Sequence, residues 1–172
     1  MWFRRDRRLG DHPALAAALG TIDGDPGAGA TQVLPLFVLD PLLWSRAGAP
    51  RQAYLLESLA ALAEAMDGRL HVRVGDPAVV VPAVARAVEA GEVHISADFG
   101  PYGQARDAAV ETALDADEVR LVRTGSPYAV SPGRVRKGDG TAYRVYTPFF
   151  KAWTAHGWRS PCLLYTSPSP RD

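Results

Sequence analysis

The side chains best placed for chemistry are an acid and a basic pair standing just after short apolar runs. Asp98 sits in Ala97-Asp98-Phe99-Gly100-Pro101-Tyr102-Gly103, and Arg4-Arg5-Asp6 follows Trp2-Phe3. Asp40 and Gly75-Asp76 stand in equivalent places after two further runs. In an open parallel sheet the carboxyl ends of the strands face the ligand crevice. These groups therefore suit hydrogen bonding and charge pairing with a polar ligand. Asp40 and Asp76 are read first as turn and cap residues, a common use of aspartate. At Asp98 two readings stay open, a ligand contact and a local structural role. Arg4, Arg5, Arg7 and Arg8 form a basic cluster, read mainly as a solvated loop balanced by Asp6 and Asp11.

Covalent and metal chemistry find no support. The four histidines, His12, His71, His94 and His156, are scattered without metal-ligand spacing. No catalytic triad, nucleophile elbow or metal-binding helix motif is present. The reading is a binding domain rather than a catalyst in its own right.

The elements that must position these residues follow a repeating pattern. Short β-branched runs alternate with longer alanine-rich amphipathic runs, the pattern of βαβ units and a parallel sheet. The expected fold is α/β, a Rossmann-like doubly wound parallel sheet of five strands flanked by helices. Met1–Phe3 reads as the stub of a first strand, cut close at its start. Asp11-His12-Pro13 opens a helix with Asp11 as N-cap, through Leu15 and Leu19 to Gly20. Residues 20–31 read as a loop; their glycines lie in the wrong order for a phosphate cradle, after a helix and before a strand. Strands are expected at 33–39, 70–74, 93–97 and 119–122, and helices at 51–66 and 102–113. Pro82 argues for a turn before a helix from 82 to 90. Residues 124–146 break the pattern, with a hairpin-like turn at Asp139-Gly140. A last helix from Thr147-Pro148 carries Phe149, Phe150 and Trp153.

The chain has 172 residues and a formal net charge of +0, so it is not a polyanion binder as a whole. Its single cysteine, Cys162, lies in the tail, and a cysteine-free body fits a cytoplasmic protein. No apolar run is long enough to span a bilayer. The tail, CLLYTSPSPRD from Cys162 to Asp172, can be encoded by an in-frame reading of a transposon end and adapter used in sequencing libraries. Residues 160–172 are therefore expected to be an adapter artefact on the front piece of a longer protein. Sequencing the genomic locus past Trp158 decides this.

Four segments then carry a resemblance. WFRRDRRLGDHPAL at 2–15, PRQAYLLESLAAL at 50–62, PYGQARD at 101–107 and GSPYAVSPGRVRKGDGTAYRVYTPFFKAW at 125–153 occur in the order of the DNA photolyase and cryptochrome family. The chain resembles that family's N-terminal domain over residues 1–159, with 124–159 beginning the connection to the next domain. The resemblance implies an antenna-chromophore-binding α/β domain. A helical domain beyond it would bind FAD and UV-damaged DNA, and the parent would be a monomeric deoxyribodipyrimidine photolyase. It also implies that this piece alone binds no FAD and is inactive. Family members that use a folate carry an acidic residue and an asparagine where Tyr102 and Gly103 stand, so a deazaflavin is favoured. Asp98 would then hydrogen-bond the ring, Arg4, Asp6 and Arg51 would line the pocket, and Phe37 would pack nearby. The family usually has leucine at the place of Arg7. Two alternatives remain, a cryptochrome photoreceptor and a stand-alone nucleotide-binding α/β module. The aromatic last helix argues against the stand-alone module, because it would leave an apolar patch.

Overall fold

The computed structural model describes residues 1–20 and 32–160. The tail at Cys162–Asp172 and most of the 20–31 loop lie outside the described residues. Five strands run in order with six helices: β1 (Trp2–Phe3), α1 (Pro13–Ala18), β2 (Leu36–Leu39), α2 (Pro41–Ser45), α3 (Ala49–Glu64), β3 (His71–Val74), α4 (Pro77–Ala87), β4 (Glu92–Ile95), α5 (Pro101–Asp115), β5 (Arg120–Arg123) and α6 (Tyr146–His156).

All strand pairs are parallel. They form two ladders, β1-β2-β3 and β4-β5, with Trp2 opposite Leu36, Leu36 opposite His71 and Glu92 opposite Arg120. β1 lies in contact with β4, which sets the five expected parallel strands side by side in the order β3-β2-β1-β4-β5. The ladders are nevertheless separate, because β1 is two residues long and offers little edge to bond.

Side chains alternate between faces, as the strand period of two requires. Trp2, Leu36 and Val38 join Val81, Ile95, Val110 and Leu114 on the α4/α5 face. Phe3 and Phe37 join Leu15, Leu59 and Leu62 on the α1/α3 face. A doubly wound sheet is covered in this way on both sides.

Several local expectations are corrected. Asp11 does not cap α1; it takes a left-handed φ of 53°. His12 caps instead, its Nδ1 accepting from the Leu15 N–H at 3.2 Å. Pro82 lies inside α4 rather than at its start, because the helix begins at Pro77 and ends at Ala87. An interior proline costs roughly 3 kcal/mol in a helix, but Val81, Pro82 and Ala85 are all buried, and that apolar stripe keeps the helix continuous. Asp40 and Asp76 are caps, accepting from Leu42 N at 2.8 Å and Ala78 N at 2.9 Å. Asp40 thereby opens α2, which the sequence pattern did not reveal. Asp139 turns the chain by accepting from Thr141 N at 2.8 Å. Lys137 N donates to the Thr141 carbonyl at 3.0 Å and Gly140 N to the Lys137 carbonyl at 2.9 Å, so the hairpin-like turn is present, without strands on either side. Arg7 donates to the Arg4 carbonyl at 3.2 Å, which is all that the structure offers for it.

Candidate functional site

The carboxyl ends of β1 and β4 meet the start of α5, and their charged side chains interlock there. Arg4 follows β1 directly, and its guanidinium donates to Asp107 of α5 and to the carbonyl of Ser96 beyond β4. Arg106, also on α5, reaches Asp107 at 2.8 Å and Asp98 at 3.4 Å. Both guanidiniums lie against the Trp2 ring, at 4.9 Å and 5.3 Å from its centre. The side chains of Arg4 and Asp107 are 8% and 4% exposed, so this is a desolvated ion network rather than a surface pair. Burial lowers the Arg4 pKa from its ordinary value, while the bond to Asp107 opposes the shift.

Asp98 is fixed from three sides. Its Oδ1 accepts from Gly100 N at 3.1 Å, its Oδ2 meets Arg106, and Arg5 approaches at 3.7 Å. Burial on its own would raise its pKa. The Gly100 N–H and then Arg106, Arg4 and Arg5 outweigh it, holding Asp98 below the ordinary 3.8. Gly103 makes this geometry possible. A Cβ there would lie 2.2 Å from the Asp98 Cγ, so position 103 must be glycine for the carboxylate to sit where it does. Gly125 serves the same corner with a φ of +65°, where a Cβ would lie 2.7 Å from Pro13. Its carbonyl accepts from Ala97 N at 3.0 Å.

Two further groups border the rim. Asp6 holds Arg8 through two bonds of 2.9 Å. Burial would raise its pKa, but Arg8 and His12 together bring it below the ordinary value. Tyr102 donates to Asp40, tying α5 to the start of α2. Burial and then that bond push the Tyr102 hydroxyl up to about 12, so it stays a donor. Arg5, which pairs with Asp98 from the solvent side, has a side chain 58% exposed and lies 5.8 Å from the Tyr128 ring centre.

Of the five residues singled out from sequence, the structure brings three together. Arg4, Asp6 and Asp98 border one small void with Ser96, His12 and Pro127. Phe37 is packed in the apolar cluster with Phe3 and Leu59. Arg51 is exposed on α3 and makes no ion pair among the described residues. Arg106 and Asp107 escaped the sequence reading, although a signal was present. α5 buries Gly103, Asp107, Val110 and Leu114, a stripe at helical spacing, and an acid on a buried stripe calls for a buried cation.

The comparisons agree with one another. The family model described as DNA photolyase matches residues 1–170. The chain is 37% identical over 175 residues to the deoxyribodipyrimidine photo-lyase of Halobacterium salinarum, covering 99% of this chain and 36% of that protein. Its fold is similar to that of a Synechocystis cryptochrome, with a TM-score of 0.80 at 20% identity over 94% of this chain and 34% of that one. It is also similar to a Sulfolobus tokodaii photolyase described with two FAD molecules and an implied novel light-harvesting cofactor, with a TM-score of 0.77 at 20% identity over 96% of this chain and 36% of that one. The chain thus spans about a third of the length of the relatives it matches.

Proposed function

The chain belongs to the DNA photolyase family, and we propose that it is the antenna-binding α/β module of a deoxyribodipyrimidine photolyase. The observation that carries this reading is the Asp98 carboxylate, fixed by Gly100 and Arg106 at the carboxyl edge of the sheet beside the exposed Arg5. That edge is where open α/β sheets take ligands. The photolyase name of the curated relative supports this reading over a photoreceptor one.

A tricyclic ring does not fit inside the charged cluster. The void beside Arg4 and Asp98 is about 10 Å³, room for one water. The residues suit an antenna only as an open shelf, with Asp98 accepting from a ring N–H and Arg5 and Tyr128 at its border. The buried Arg4–Asp107–Arg106 network holds that shelf in place. The bound chromophore would supply light absorption; this chain's side chains supply orientation and charge. Tyr102 and Gly103 favour a deazaflavin over a folate, because Tyr102 is engaged with Asp40 and Gly103 has no side chain to offer.

The parent enzyme would use light to split cyclobutane pyrimidine dimers flipped out of UV-damaged DNA. FAD and DNA would be bound by a helical domain after residue 159. Residues 124–159 would lead to that domain, and Tyr146 and Phe150 of α6, 71% and 47% exposed, would pack against it.

Titration of the chain with a deazaflavin and with a folate, read by chromophore fluorescence, tests the antenna reading. The deazaflavin is expected to bind and the folate not, with Asp98→Asn weakening binding by about tenfold, the value of one hydrogen bond to a charged group. Equal binding of the two, or indifference to Asp98→Asn, contradicts it.

A further inference from the structure

β3 is the last strand on one flank of the sheet, and among the described residues no strand lies beyond it. His71 N donates to the Pro35 carbonyl at 2.8 Å, and Gly75 N donates to the Leu39 carbonyl at 3.1 Å. In a parallel ladder alternate residues bond the same neighbour. His71, Arg73 and Gly75 therefore turn their peptide groups toward β2, and Val72 and Val74 turn theirs outward. The outward carbonyl of Val72 accepts from the Arg73 guanidinium at 3.2 Å, at an exposed site.

The side chains of β3 divide by face. Val72 and Val74 stand beside Phe37 and Leu39, on the α3 side, yet they are 41% and 67% exposed. His71 and Arg73 stand beside Leu36 and Val38, on the α4 side, and α4 carries no acid. Arg69 precedes the strand and is largely exposed, 3.8 Å from Asp67. The strand itself, His-Val-Arg-Val, holds no carboxylate, and Asp76 beyond it is committed to capping α4.

We infer that the outer side of β3 takes an extended acidic peptide whose carboxylates alternate with apolar side chains. Its peptide groups would bond those of Val72 and Val74, as in strand addition to an open sheet. With a period of two, its apolar side chains would cover the two valines and its carboxylates would meet Arg73 and Arg69. A carboxylate draws Arg73 off the Val72 carbonyl, because a charge-assisted bond is about twice as strong as one to a neutral acceptor. A second copy of β3 is a poor partner. With the valine faces aligned, Arg73 would oppose Arg69, His71 or another Arg73, and like charges facing across a strand pair are destabilising. Charge on an open strand is a common guard against such pairing; here it also selects the sign of the strand that is admitted.

The test is fluorescence anisotropy of the whole chain with two labelled hexapeptides, Glu-Val-Glu-Val-Glu-Val and Lys-Val-Lys-Val-Lys-Val, followed by amide hydrogen exchange. The acidic peptide is expected to bind about tenfold more tightly than the basic one and to slow exchange at the Val72 and Val74 amides. Arg73→Glu should reverse the preference. Val74→Pro removes one outward N–H and spares the ladder, since proline is tolerated on the solvent side of such a strand. It should weaken the acidic peptide about tenfold while the Phe37 and Leu39 amides stay protected. If Val74→Pro does not fold, the Arg73→Glu reversal decides alone. Binding of neither peptide, equal binding of both, a preference unmoved by Arg73→Glu, or Val72 and Val74 amides already fully protected in the free chain overturns the inference.

Discussion

The two edges of this sheet are built on opposite terms. At the carboxyl edge, Arg4, Asp98, Arg106 and Asp107 form one linked ion network, and Arg4 and Asp98 border a void of about 10 Å³. At the amino edge, alanine and valine of α1 and α4 together with Glu89, Glu92, His94 and Arg120 border a cleft of about 1040 Å³. One edge interlocks its charges around almost no space; the other spreads charged and aliphatic side chains along a wide cleft. The difference separates two kinds of binding. The carboxyl edge holds the Asp98 carboxylate rigid beside the exposed Arg5, which suits orientation of a polar ligand at its border. The amino edge pairs Glu92 with Arg120 beside alanine and valine side chains, a mixed surface of a different kind.

The contrast breaks most sharply by removing one member of the buried network. Asp107→Ala leaves Arg4 charged and buried without its partner, and a destabilisation of about 3–5 kcal/mol is expected, read by urea unfolding. A loss below about 1 kcal/mol would mean that the carboxyl edge is solvated and not closed. Next in size is Gly103→Ala. The new methyl group collides with Asp98, and overpacking of this kind costs roughly 1–3 kcal/mol. Chromophore affinity should fall with it, because the carboxylate must move. An unchanged midpoint and affinity would show that Asp98 has room to spare.

These two residues mark what the sequence made legible. The alternation of apolar runs disclosed the parallel α/β order, and the local motifs at 4–6 and 98–103 disclosed the rim. The buried stripe of α5 signals that Asp107 needs a cation, but not which one: its partner Arg4 follows β1, 103 residues away, and Arg106 escaped the reading although Asp98 lies only eight residues before it. Pro82 misled because the propensity cost of proline is local, whereas the burial that outweighs it comes from the sheet. Asp11 lost the cap to His12 because His12, almost fully buried against Phe3 with ring centres 5.5 Å apart, places its own nitrogen over the helix start. The separation of the two ladders depends on how far β1 extends along its neighbours, which periodicity does not measure.

Acid sharpens the comparison further. Burial holds the His12 pKa below its ordinary 6.5, so the folded chain takes up this proton less readily than the unfolded chain. That contribution to stability is present above pH 6.5 and declines as the pH falls below it. Asp6 and Asp98, both held below 3.8, add a second decline on the acid side of that value. His12→Asn keeps a capping oxygen and is expected to shrink the first decline, whose remainder belongs to the Met1 ammonium and His94, both also lowered by burial, and to leave the second. A stability profile flat from pH 7 to 5 in the original chain would contradict the buried neutral imidazole. The smallest effect belongs to Arg5→Gln. Loss of this exposed side chain should change the unfolding free energy by well under 1 kcal/mol while weakening chromophore binding. A large loss of stability would place Arg5 in the closed network instead.

Chemical-shift mapping of the isotopically labelled chain during titration with a deazaflavin tests the central claim most directly. A chromophore held at Asp98 is expected to shift the amides of Arg5, Gly100, Gly103 and Tyr128 and to leave residues 90–94 at the amino edge unmoved. Shifts centred on residues 90–94, with the Asp98 surroundings silent, would contradict it.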